Sequence, residues 1–95
     1  MKQCYVGESF IQSFKIVKDS DATATVDAGN FEVRLDGEIV QAGTLAIAED
    51  GHTVSFRFNS NKAGMHEIII SWRMGQDAWT EPFLMKVIQP ERVVE

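Results

Sequence analysis

Val54, Phe56 and Phe58 alternate with Thr53, Ser55 and Arg57, and this alternation restricts the fold more than any other feature of the chain. Successive side chains of a strand point to opposite faces, so an apolar period of two marks a strand with one face in a core. The period recurs. Phe31, Val33 and Leu35 alternate with Glu32 and Arg34, and Phe83, Met85 and Val87 oppose Leu84, Lys86 and Ile88. From Met65 to Arg73, Ile68, Ile70 and Trp72 share one face while Met65 and Ile69 lie on the other. Apolar residues on both faces predict a central strand. Between Ser9 and Val17, Phe10, Phe14 and Ile16 share one parity, with Gln12 interrupting it. Shorter strands are expected at Lys2 to Val6, Glu38 to Gln41 and Thr44 to Ala48.

Turn chemistry separates these stretches. Asp36-Gly37 is the strongest hairpin signal, because both residues tolerate the positive φ of a type I′ turn. Glu49-Asp50-Gly51 reads as a tight turn with glycine in the left-handed position. Gly7-Glu8, Ala28-Gly29-Asn30, Ala42-Gly43 and Gly75-Gln76-Asp77 read as further breaks, and Lys18 to Ala24 and Asn59 to Gly64 as polar loops. Pro82 lacks a ladder donor and belongs at a strand start or on an edge. Seven to nine short strands with turns every eight to twelve residues or so predict an all-β fold, an antiparallel β-sandwich, with Trp72 in the middle of its core. One domain over residues 1–90 is expected, followed by a tail, residues 91–95, with no core role.

The chain has 95 residues and a net charge of -5. Its nine Lys and Arg are scattered without a run, so the basic footprint that nucleic acid or an anionic membrane surface would require is missing. No apolar stretch approaches the roughly 20 residues of a membrane-spanning helix. Met1 to Phe10 shows no secretion signal. Cys4 is the one cysteine, which excludes an internal disulfide and suits a small buried hydrophobe.

His52 and His66 lack a third ligand at metal spacing. Asp19, Asp21 and Asp27 gather around one loop, but without the twelve-residue calcium pattern. No Gly-x-Ser-x-Gly elbow or phosphate-binding glycine loop occurs. The chain is therefore read as a non-enzyme with no cofactor and no metal. The candidate partner-binding residues are Trp79, which follows a loop, Tyr5, and Val93 and Val94 in the charged tail, a segment of the kind that adds a strand to a neighbour's sheet.

Ala63-Gly64-Met65-His66-Glu67-Ile68-Ile69-Ile70-Ser71-Trp72 resembles the late strand of bacterial and phage immunoglobulin-like domains. Val6-Gly7-Glu8-Ser9-Phe10, running on to Lys18-Asp19-Ser20-Asp21, is similar to the opening of small phage tail, baseplate and head-associated modules of that kind. The resemblance spans most of residues 5–88 and implies an immunoglobulin-like sandwich. Its implied setting is a virion component in many copies, in the virion or in the host cytoplasm during assembly. Its implied partners are other virion proteins or a larger protein scaffold, with a homo-oligomer also in view. No functional residue carries over. The rival expectation is a carbohydrate-binding or adhesion module using Tyr5 or Trp79.

Overall fold

A computed structural model describes residues 2–18, 20, 21 and 23–89. Asp19, Val93 and Val94 lie outside the described residues. Eight strands are present: β1 (Lys2–Tyr5), β2 (Ser9–Lys15), β3 (Ala28–Leu35), β4 (Glu38–Thr44), β5 (Ala46–Ile47), β6 (Thr53–Asn59), β7 (Gly64–Met74) and β8 (Asp77–Ile88). They form a five-stranded sheet, β1-β8-β7-β3-β4, and a three-stranded sheet, β2-β6-β5. β2 pairs with β6 in one sheet and β3 with β7 in the other, which is the interlocked plan of an immunoglobulin-like sandwich. One pair departs from the antiparallel rule: β1 runs parallel to β8, Lys2 opposite Met85 and Tyr5 opposite Ile88.

The core follows the alternation. Val33, Phe31, Ile68, Ile70, Met85 and Val87 face inward from the large sheet, and Val54, Phe56 and Phe58 from the small one. Phe31 stacks on Phe56 across the gap, with ring centroids 4.1 Å apart. β7 is the middle strand of the large sheet, as its two apolar faces predict. Gln12 breaks the apolar parity of β2 yet is buried there, and its Oε1 accepts a hydrogen bond from Lys2 Nζ at 3.1 Å. Asp36 and Gly37 take φ of 53° and 83°, the two positive values that a type I′ turn needs.

Four expectations need correction. Ala28-Gly29-Asn30 is not a turn but the start of β3. Ala42-Gly43 does not break the chain: β4 runs through to Thr44, with a bulge that leaves Val40 without an opposite residue. The break comes at Leu45, where the chain leaves the large sheet and enters the small one as β5. Leu45 is buried and donates its N–H to Gly29 O at 2.9 Å. Ile47, expected inside, is exposed, because β5 is only two residues long and forms a sheet edge. Trp72 is half-buried rather than central. It lies beside Ile16 and Val17, which follow the end of β2, so the small sheet does not reach far enough to cover it.

Candidate functional site

The β7–β8 hairpin carries the tryptophans. Trp72 and Trp79 are directly opposite each other, and their rings stack with centroids 6.1 Å apart at 22°. Both have inward parity, but they sit where the small sheet has run out, so Trp79 stays 38% exposed. Lys18 reaches across from the preceding loop. Its Nζ is 5.8 Å from the Trp79 ring centroid and 2.7 Å from Asp77 Oδ2. A shallow cleft lined by Ile16, Val17, Lys18, Ser20, Met74 and the two indoles opens there. Asp27 fastens the hairpin tip: its Oδ2 accepts from Gly75 N at 2.7 Å, and its own N–H donates to Arg73 O.

Tyr5 is not part of this cluster. It pairs with Ile88 at the far end of β8, nine residues from Trp79, or about 30 Å at strand rise. It also faces outward where Trp79 faces inward. The two aromatics therefore cannot share one flat patch.

The outer faces of the two sheets differ. The small sheet presents Ser9, Ser13, Lys15, Thr53, Ser55, Arg57 and Asn59, with Ile11 as its one large exposed apolar residue. The large sheet presents Tyr5, Ile39, Met65 and Leu84, each well exposed, with Ile69 opposite Pro82 between them. Charge on this face is of both signs: Arg34 lies opposite Glu67 and bonds Glu32 Oε2 at 2.8 Å, and Lys86 lies opposite Met65.

The remaining polar candidates hold turns. Asp21 accepts from Thr23 N and Oγ1, which hold its carboxyl below the usual range. Asp50 accepts from the N–H groups of His52 and Thr53 and from Thr53 Oγ1, with the same effect. Cys4 is buried, and burial pushes its thiol up, against a lowering hydrogen bond from Ser60 and with a smaller push from Glu8. Among the described residues, no three His, Cys, Asp or Glu side chains gather closely enough to hold a metal ion, and no helix is long and apolar enough to cross a membrane.

No family model matches the chain, and no curated protein matches it. Among solved structures, the endo-beta-1,4-mannanase from Thermotoga petrophila is similar over 94% of this chain, with a TM-score of 0.65 and 11% sequence identity. The chain spans 18% of that protein's length, so what the two share is a sandwich fold.

Proposed function

We propose that the chain is a non-catalytic assembly module that docks onto a larger protein scaffold through the outer face of its five-stranded sheet. The observation that carries this reading is the asymmetry between the two outer faces. A sheet face turned to water is ordinarily polar, as the small sheet's is. Leu84, 49% exposed, together with Met65, Ile69 and Pro82, gives the large sheet an apolar centre flanked by charges of both signs. Apolar centres with polar rims are the usual anatomy of protein interfaces. A virion is the setting the sequence resemblance implies for such a module.

Sedimentation tests this reading. The chain produced in its native host should travel with particles far heavier than itself. Changing Met65 and Leu84 together to Glu should return it to the light fraction with little change in Tm, because both side chains already face solvent. A wild-type chain that stays light, even after cross-linking, would sink the proposal.

A second reading, a carbohydrate-binding or adhesion module, draws on the Trp72–Trp79 stack, since an exposed indole offers a flat apolar surface to a sugar ring. Trp79→Ala should then abolish glycan retention while leaving sedimentation unchanged.

A further inference from the structure

One side of the sandwich is closed by a side chain instead of a strand. β5 pairs with β6 only at Val54 and Ser55, so Arg57 to Asn59 lie past its Ala46 end, and there Gln41 on β4 takes the place of a strand. Its amide donates to Arg57 O and accepts from Asn59 N at 3.2 Å, bridging the two sheets. Beside this bridge opens a cleft of about 270 Å³, lined by Val40, Gln41, Asn59, Asn61, Lys62 and His66.

His66 is only 2% exposed. Phe58 meets its ring edge-on at 5.8 Å, and Nδ1 lies 3.2 Å from Gly64 O. A carbonyl oxygen only accepts, so Nδ1 carries the hydrogen, and in the neutral ring Nε2 is a bare acceptor. Nε2 has no hydrogen-bond partner among the described residues. The sealed, unpartnered side-chain nitrogen among them is His52 Nδ1, so His66 Nε2 opens into the cleft. An unmet acceptor in such a place favours any ligand that brings a donor.

The rim supplies the opposite polarity. Asn59 contributes backbone to the lining, since its carboxamide turns to the outer face and accepts from Ser9 Oγ at 2.8 Å. Lys62 has no ion pair among the described residues and adds its ammonium donors, and Asn61 adds an amide. A matching group must donate at the floor and accept at the rim. A carboxylate or a phosphate dianion cannot donate to Nε2, and a cation would face Lys62. A hydroxyl group does both.

We propose that this cleft binds a neutral, hydroxyl-rich ligand, a single saccharide or polyol unit, with one hydroxyl donating to His66 Nε2 and its neighbours accepting from Asn61 and Lys62. Its volume lies just under the range that holds drug-sized ligands, which suits one ring. The site shares no residue with the tryptophan end or with the apolar centre of the docking face, so it goes beyond both readings above and fails or stands independently of them.

The test is an NMR titration of the full 15N-labelled chain at neutral pH. The probes are the methyl glycosides of mannose, glucose, galactose and N-acetylglucosamine, with sodium acetate and sodium phosphate as anionic arms. Free His66 should show the Nδ1–H tautomer. At least one glycoside should shift Nε2 and the Asn61 and Lys62 amides saturably while the ring stays neutral. Asn61→Ala with Lys62→Ala, both exposed loop changes, should weaken that binding about fivefold or more, whereas Trp79→Ala should not alter it. The proposal is overturned if the free ring carries its hydrogen on Nε2, if no glycoside moves these signals, or if phosphate or acetate alone moves them with formation of imidazolium.

Discussion

Asp50 holds three donors at once: the N–H groups of His52 and Thr53, at 2.8 and 2.9 Å, and Thr53 Oγ1 at 2.9 Å. They fix the turn that brings β6 back against β5. The same contacts hold the carboxyl below its ordinary value. A carboxyl whose pKa is lower folded than unfolded stabilises the fold above the unfolded value, and that contribution is lost as pH falls through the folded one. Asp50→Asn keeps one acceptor and removes the charge, so it should melt below wild type at pH 7. The gap should close as pH drops below about 4, the unfolded aspartate range. Thermal melts at a series of pH values check this. Asp21 is shifted in the same direction by Thr23, but it is present in both proteins and cancels in the difference.

At the scale of elements, the β4–β5 crossing turns on one pair. A Cβ built on Gly29 would meet Leu45 Cδ1 at 2.8 Å and Ser71 O at 3.2 Å. The absence of a side chain in β3 is thus what lets Leu45 swing inward and the chain change sheets. Gly29→Ala should destabilise by about 1–3 kcal/mol through overpacking, and Leu45→Ala by about 2–5 kcal/mol through the cavity it leaves. The double variant should be less damaged than the sum, because the new methyl enters the space that Leu45 vacates. Denaturant midpoints for the four proteins measure that coupling, and simple additivity would show that the two residues do not share the space.

The same crossing marks where the sequence became illegible. β6, β7 and β8 announce themselves through parity, and the Asp36-Gly37 turn through local backbone preference. Ala42-Gly43 and Ala28-Gly29-Asn30 look like turns because small residues suit both turns and close packing. Only tertiary contact decides: the Phe31 ring lies 3.0 Å from where a Gly43 Cβ would be. The sites divide in the same way. Trp79 could be singled out as a loop-flanking indole, whereas His66, which shares parity with Ile68 and Ile70, reads as a partly buried or surface histidine and is in fact buried. The sequence could not show that Gln41, Asn59 and Lys62 converge on it, since that requires the β3–β4 pairing and the order of both sheets.

For the whole molecule, the question is which sheet edges stay open. β1 covers β8 only from Met85 to Ile88, so among the described residues no strand pairs with the outer edge of Asp77 to Leu84. Pro82 sits in the middle of it, opposite Ile69. With no N–H, Pro82 has nothing to donate to β7, and the nitrogen of an edge proline faces out from the sheet. There it removes the donor that would otherwise stand between those of Thr80 and Leu84. Open edges with full donor rows template pairing with other chains, and an edge proline blocks this. Pro82→Thr should restore the row. Its effect on the fold should be small, within about 0.5 kcal/mol for an exposed site, but its effect on association should be large. The net charge of -5 keeps copies apart at low ionic strength, and salt screens that repulsion. Light scattering and thioflavin T fluorescence should therefore separate the variant from wild type only modestly in dilute buffer and strongly at about 0.5 M salt, where the Debye length falls to a few ångströms. If both proteins stay equally monomeric at high salt, charge or strand twist guards that edge, and Pro82 does not.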